Sequence, residues 1–512
     1  MLKKASELWP KLKTKTNAFI LCFMILNAIL TVHLFMRHDI NSKLALMVAL
    51  IAEVLFELVM VWLFYRLKRK GAPIEKMFLA FVIPIGLLFI AFLPPQQTPD
   101  AYAHLTRAYE ISQGQLVAKA GEDGVASATL PVELRHYIEH DSGYSYNANV
   151  LWQPLSGETY EEQKFYPSAA GYNFLIYAPH AVGILIGRGL RLPLYFILAL
   201  GRVFSLLVFA LLGYFAIKFT PRFKMLFMFL ALMPMTMQLV TGYSADALTL
   251  GVAFFLVGYA LKLIYDDKIK KLSRWQIAGI YVVAAIMGIC KTVYFPLCAL
   301  FLLIPYQKFG SRCRKWIHAI LAAGISATLV VVWMKLQRTS AGTLPINDQF
   351  GFILTHPLRY IMYILGTILD YLSGFYLSST FGTSLGAWRF DIPYIYFYLA
   401  FVVAALVLVR GTEHYEVKPI VRFVAWAVFT TITVAFMTVM FTQWTKADEK
   451  YVDGVQGRYF IPILTLVPLM FSSSKKTPAT KRKLEFSSDY PLLFNLFFCV
   501  CGIVTIIMVD LA

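Results

Sequence analysis

The chain has 512 residues, 59% of them hydrophobic and only 15% charged, with a formal net charge of +18 and a mean hydropathy of +0.64. Soluble domains carry roughly 25% charged residues, so a soluble enzyme, a disordered chain and a secreted disulfide scaffold are excluded. The apolar residues fall in blocks of about 17–25, the length at which a helix crosses a bilayer, and the chain reads as a polytopic, all-α integral membrane protein.

About thirteen crossings are expected. They are 17–36, 44–65, 77–93, 195–217, 225–241, 246–264, 275–290, 293–306, 316–334, 393–409, 420–441, 459–473 and 491–511. Lys3, Lys4, Lys11, Lys13 and Lys15 precede the first run, and no small-residue cleavage site follows it, so it reads as a charged flank plus a span. The other basic stretches are 66–76, 218–224, 262–274, 308–315, 410–422 and 475–483. All lie on one side if the N-terminus is cytoplasmic, which places the C-terminus outside. Because the basic residues sit in short connections, the positive charge reads as membrane orientation and not as nucleic-acid binding.

Two further apolar segments, 172–190 and 357–371, break the parity of sides if they cross. Each is expected to be re-entrant, broken or flat at the outer surface, facing protein or a water-filled cavity. The predicted organisation is N-terminal helices (1–93), a large outer loop with an amphipathic helix (94–171), a central bundle (172–334), a second outer loop with a re-entrant helix (335–392) and C-terminal helices (393–512). The first loop has ten acids against Arg107, Lys119, Arg135 and Lys164, a net charge of −6 on a basic protein. Elaborated outer loops point to work done at the outer surface.

Candidate polar residues follow in chain order. Glu53 and Glu57 lie mid-span, four residues apart. Intramembrane carboxylates suggest function, such as a proton relay, or a buried structural pair with a cation such as Arg202 or with one acid held protonated. Next comes Pro94-Pro95-Gln96-Gln97-Thr98-Pro99-Asp100-Ala101-Tyr102-Ala103-His104-Leu105-Thr106-Arg107-Ala108-Tyr109-Glu110. Pro99 stops the third span and Asp100 can cap the next helix, which puts residues 100, 104 and 107 on one face. That reads either as an ordinary capped amphipathic helix or as the start of a site. A carboxylate can take a proton from an incoming hydroxyl, and a cation can grip a departing phosphate.

His136-Tyr137-Ile138-Glu139-His140 has the H-x-x-E-H spacing of some zinc peptidases, with no third ligand evident. Asp246 opens a span as a helix cap or a site acid. Lys291 sits between two short apolar runs, where a lysine is costly unless it is paired, near water or snorkelling. Gln456 and Arg458 precede the span 459–473. Arg458 can hold a phosphate bidentately or anchor the interface. Asp100, Asp246, Lys291, Gln456 and Arg458 all fall at one depth on the outer side. Tyr102, Tyr109, Trp152, Trp388 and Trp444 could stack on sugars, or belong to interfacial belts. None of Cys22, Cys290, Cys298, Cys313, Cys499 and Cys501 falls in the first outer loop, and they have no zinc or disulfide pattern.

The stretch around Asp100 resembles the signature of a bacterial membrane-protein family called domain of unknown function 2142. It matches at Asp100, Ala103, His104, Arg107, Ala108, Tyr109 and Gly114, and departs at Ala101 and Tyr102, where Glu and Pro are usual. The role of a second acid there is therefore absent. Further similar segments are Tyr166-Pro167 through Gly187-Arg188, Gly201-Arg202, Met233-Pro234-Met235, Ser244-Ala245-Asp246-Ala247, Lys291 with Tyr294-Phe295-Pro296, Leu385-Gly386-Ala387-Trp388, and Gly454-Val455-Gln456-Gly457-Arg458-Tyr459-Phe460. Their order, across most of 77–473, carries the resemblance.

That family is similar in layout to type-C glycosyltransferases, polytopic enzymes that use a sugar on a polyprenyl phosphate. The resemblance implies that Asp100 is the base. It also implies a donor carried by a polyprenyl phosphate in the bacterial cell membrane and a cell-surface glycan as acceptor. Arg107, Lys291 and Arg458 would meet the leaving phosphate, with His104, Asp246 and Gln456 binding substrate. A divalent ion is left open. The alternative is a transporter or flippase of a lipid-linked glycan with Glu53 and Glu57 as its proton-coupling pair.

Overall fold

The computed structural model describes residues 2–511 except 41, 121–124, 141–147, 156, 158, 166, 342–348, 373–378, 388, 413–416, 446–448 and 473–488. The fold is that of an all-α membrane protein. Helices α1 (Leu2–Arg37), α2 (Lys43–Arg69) and α3 (Ile74–Phe92) come first, then α4 (Ala101–Ser112). A small antiparallel sheet follows, with β1 (Lys119–Ala120), β2 (Ala126–Pro131) and β3 (Tyr160–Lys164) in the order 1-2-3, Ser127 opposite Lys164 and Thr129 opposite Glu162. Between its strands lie α5 (Val132–His140) and α6 (Ala148–Leu151). The sheet qualifies the all-helical expectation for the first loop, whose alternating segment 160–164 is too polar to read as a buried strand.

The central bundle holds α7 (Pro167–Gly171), α8 (Ala178–Gly189), α9 (Leu194–Phe219), α10 (Lys224–Ala231), α11 (Pro234–Thr241), α12 (Asp246–Tyr265), α13 (Arg274–Cys290), a 3₁₀ helix (Thr292–Leu303), α14 (Tyr306–Phe309) and α15 (Arg312–Ala341). Helices α16 (Gln349–Thr355) and α17 (Pro357–Leu372) form the second loop with β4 (Ser384–Leu385) and β5 (Phe390–Asp391). The chain closes with α18 (Ile395–Thr412), α19 (Pro419–Gln443), short turns at Gly457–Phe460, α20 (Ile461–Leu464) and α21 (Val467–Phe471), and finally α22 (Tyr490–Leu511).

Among the described residues, eight helices are long and apolar enough to cross a membrane, or ten if each of two bent pairs is one span. The expected thirteen differ because several runs are broken or short. The run 225–241 is α10 and α11, bent by 60° where Pro234 opens the second helix. Proline ends the first helix by disfavouring the α conformation before it. Thr236 Oγ1 donates to the Leu230 carbonyl at 2.6 Å, satisfying a backbone group freed by the break. The run 293–306 is a 3₁₀ helix of 12 residues, and at 2.0 Å per residue it reaches about 24 Å, against about 18 Å for an α-helix of that length. Residues 459–472 form short helical pieces instead of one span.

Both parity-breaking segments depart from simple crossings. Helix α8 folds back antiparallel along α9, with Gly183 against Leu200 and Gly187 against Ile197. A Cβ on Gly183 would run into the Leu200 carbonyl, so the hairpin closes backbone to backbone. Helices α16 and α17 are bent by 111°. Helix α17 buries Tyr360 and Ile364 against Met437, Phe441 and Val452 and exposes Leu358, Met362, Leu365 and Leu369 along its other face. That is the pattern of a helix lying in a membrane interface.

Two buried polar knots hold the frame. Arg202 donates to the carbonyls of Ile90 (3.0 Å), Phe89 (3.1 Å) and Thr241. It thus clamps the C-terminal turns of α3 and α11, where carbonyls lack helical partners and a cation suits the dipole. This corrects the pairing of Arg202 with the acids of α2. Glu53 instead accepts from Thr31 Oγ1 (2.7 Å) and Glu57 from Asn27 Nδ2 (2.7 Å). Asn27 also donates to the Phe497 carbonyl at 3.1 Å and accepts from the Tyr396 hydroxyl. The pair is therefore knotted by neutral donors between α1, α2, α18 and α22.

Candidate functional site

Four separated chain segments end at one place, the end of the bundle that carries the loop 94–171. The Arg202 clamp fixes the outgoing ends of α3 and α11. Thr98 Oγ1 then donates to the Tyr243 carbonyl at 3.1 Å, pinning the stretch before α4 to the turn before α12. A Cβ on Gly242 would collide with the Thr98 side chain, so this close approach needs glycine. Asp100 emerges from that pinned stretch with left-handed backbone (φ 61°) and caps nothing with its side chain. Aspartate tolerates this conformation better than most residues. Asp100 and His104 both face the cluster, whereas Arg107, which the spacing placed on the same face, is bonded to Glu110 and the following turn.

The Asp100 carboxylate lies 3.4 Å from Arg458 Nη2 and is 49% exposed. Its three neighbours are buried. Arg458 Nε stands 3.8 Å from Asp246 Oδ2, and Lys291 Nζ is bonded to Asp246 Oδ1. Asp100, Arg458, Asp246 and Lys291 thus form one chain of alternating charge. Asp246 sits in the first turn of α12, where the dipole favours an anion. Asp246 is not the cap: Ala245 holds that position, and Ser244 Oγ accepts the Asp246 N–H at 3.0 Å. Lys291 does not snorkel. Its ammonium lies 5.6 Å from the Tyr172 ring and 5.5 Å from the Tyr459 ring, between two aromatic faces that stabilise a cation. Tyr294 Oη donates to the Tyr459 carbonyl at 2.8 Å, and Phe436 stacks on Tyr459 at 5.0 Å, fixing that wall.

His104 stands one turn along α4, buried, with Nδ1 2.7 Å from the Tyr177 hydroxyl. Burial pushes its imidazole down to about 4, against the opposing pull of the Asp100 carboxylate. It is a neutral hydrogen-bonding group at physiological pH, not a cation. Gln456 lines a small hollow with Pro99, Gln238, Ser384 and Arg458. The Gln238 side-chain amide oxygen accepts the Gly386 N–H at 2.8 Å, which ties the β4–β5 turn to α11 and brings the second loop against the cluster.

Arg107 is placed elsewhere. It is wholly buried and bonded to Glu110 Oε2 (2.7 Å) and to the carbonyls of Gln115 (3.0 Å) and Leu116. Its guanidinium stitches the end of α4 to the following turn, which corrects its assignment as a phosphate contact. The i,i+3 spacing of Arg107 and Glu110 was the signal for this pair. Tyr109 is buried beneath Arg188 at 5.0 Å and so is no free sugar platform, while Trp152 is exposed and stacks on Tyr195 at 5.2 Å. Trp388 and the side chains of Glu139 and His140 lie outside the described residues. Among the described residues no three His, Cys, Asp or Glu side chains gather as metal ligands, and the two acids of the cluster face cations. Tyr172 and Tyr177 were not singled out from the sequence because tyrosines within apolar runs look like packing, and Gln238 because a lone amide in such a run carries no motif.

The cluster can do two things chemically. Its buried cations can meet an anion only if that anion competes with Asp100 for Arg458. An anion that did so would release the one exposed carboxylate from its ion pair.

No curated protein and no solved structure matches the chain. The segments that build the cluster, from the end of α3 through Tyr459, all fall inside residues 83–467, which match the family described as predicted membrane protein, domain of unknown function 2142, and the chain belongs to that family of multi-pass membrane proteins.

Proposed function

We propose that the protein is a membrane glycosyltransferase that takes a sugar from a polyprenyl phosphate at the outer face of a bacterial cell membrane and passes it to a cell-surface or lipid-linked glycan. One observation carries this reading: a single exposed carboxylate, Asp100, is held by a buried arginine beside a buried lysine. The donor phosphate displaces Asp100 from Arg458 and rests on Arg458 and Lys291. The freed Asp100 carboxylate takes the proton of the acceptor hydroxyl, and the acceptor oxygen bonds to the anomeric carbon as the sugar–phosphate bond breaks. The bonding pair leaves with the polyprenyl phosphate, whose charge the two cations stabilise. A single displacement inverts the anomeric centre. His104, neutral and held by Tyr177, and Gln456 are the hydrogen-bonding groups closest in role to a sugar contact.

The test is transfer of a labelled sugar from a short-chain polyprenyl phosphate by purified protein, with Asp100→Asn beside the natural chain. Loss of transfer with the fold retained supports the reading, and retained transfer removes Asp100 from the chemistry. A second reading, a transporter or flippase of a lipid-linked glycan, is favoured by one observation: Glu53 and Glu57 are buried among neutral donors. Neutralising both acids stops a proton-coupled transporter and leaves a transferase working.

A further inference from the structure

A slot of about 210 Å³ lies between α13, the 3₁₀ helix and α15, away from the charged cluster. Small side chains leave it open: Ala284 on α13, Ala299 on the 3₁₀ helix and Ala319, Ala322 and Ala323 on α15. Above it, Gly288 of α13 and Ser326 of α15 touch, and Ser326 Oγ donates to the Ala284 carbonyl at 3.1 Å. That contact joins α13 to α15 beside the slot. At the opposite end it reaches Lys315 and His318, near the start of α15. Eight residues of α-helix separate Ser326 from His318, which gives a length of about 12 Å.

The lining narrows the occupant. Water needs two to four polar partners, and here the charged and imidazole groups stand only at the basic end. The mouth, by contrast, is cationic: Arg312 and Arg314 precede Lys315, the exposed Trp316 follows it, and no acid lines the slot. Basic residues with an adjacent indole at a helix start are what an anionic headgroup meets at a membrane interface.

We propose that this slot holds one acyl chain of an anionic phospholipid from the leaflet at the basic end of the bundle, with the headgroup phosphate on Lys315. The site is independent of the transferase reading. The full chain is purified in detergent, titrated with phosphatidylglycerol or phosphatidylcholine and read by native mass spectrometry. The natural protein is expected to retain one phosphatidylglycerol preferentially. Lys315→Gln is expected to erase the preference between the two lipids, and Ala319→Phe with Ala322→Phe to abolish retention of both. Ile320→Phe, on the lipid-facing side of α15, is expected to change nothing. Undiminished retention in the filled variant, equal loss in Ile320→Phe, or an unchanged preference in Lys315→Gln overturns the proposal. If the filled variant does not fold, a phosphatidylglycerol with a photoreactive acyl chain is crosslinked to the natural protein. Crosslinks within residues 280–323 support the slot, and crosslinks confined elsewhere, or retention of a polyprenyl lipid instead, overturn it.

Discussion

Two pairs of acids in this bundle are held on opposite terms. Asp100 and Asp246 meet Arg458 and Lys291, so charge is answered by charge and the chain of contacts ends at a carboxylate open to solvent. Glu53 and Glu57 meet a threonine and an asparagine and have no outlet. The first cluster is assembled from four segments distant in sequence, all inside the family match. The second joins α1 and α2 to α18 and α22, and both its acids lie before residue 83, where the match begins. An ionised cluster with one exposed member is suited to exchanging a partner, whereas a neutral knot is suited to holding helices in register.

The contrast breaks most visibly at Lys291. Removing one partner of a buried ion pair leaves the other charge uncompensated and costs about 3–5 kcal/mol. Lys291→Met is therefore expected to lower the thermal midpoint in detergent strongly, and Lys291→Met with Asp246→Asn to recover part of the loss. A midpoint unchanged by Lys291→Met would mean that the cluster is not ionised. His104 sharpens the same side through pH. Its proton affinity is depressed from the ordinary 6.5 to about 4 by burial, so between those values the unfolded chain binds more protons than the folded one. Stability is then complete above pH 6.5 and falls as pH drops toward 4, by about 3 kcal/mol at most. Midpoints measured across that window should slope for the natural protein and flatten in His104→Gln. A slope that survives the substitution belongs to another group.

The neutral knot should break more gently. Asn27→Leu deletes the donor to Glu57 and the acceptor for Tyr396, and a buried polar group left without its partner costs about 1–3 kcal/mol. A loss as large as that of Lys291→Met would show Glu57 to be ionised, and the difference between the two regions would disappear.

Much of this frame was readable in the sequence. Long uniform apolar runs such as 194–219, 419–443 and 490–511 became helices close to their expected bounds, because length and hydropathy decide a span. The common depth of Asp100, Asp246, Lys291 and Arg458 also followed from alternating sides. Conformation within a run did not: a 3₁₀ helix over Thr292–Leu303 and an α-helix of the same composition have the same hydropathy. The left-handed backbone of Asp100 was not legible either, since it lies in a stretch pinned by Thr98 to Tyr243, a contact 145 residues apart in sequence. Arg107 was drawn into the site by its nearness to Asp100, although Glu110 stood three residues away.

The smallest expected change in stability tests the largest functional statement. Asp100 is half exposed and 3.4 Å from Arg458, and ion pairs open to solvent contribute about 1 kcal/mol or less. Asp100→Asn should therefore leave the thermal midpoint almost where it was, because Arg458 keeps Asp246. If the carboxylate is the base, the same substitution lowers transfer by roughly 10²–10⁴-fold. A structural cap would show the reverse, a shifted midpoint with transfer intact. Glu53→Gln with Glu57→Gln supplies the complementary measurement, since an amide oxygen can accept from Thr31 and Asn27 as the carboxyl does. Transfer preserved in that variant and lost in Asp100→Asn separates the two regions by function as well as by chemistry, whereas uptake or flipping of a lipid-linked glycan lost only in the glutamine variant would assign the work to α2.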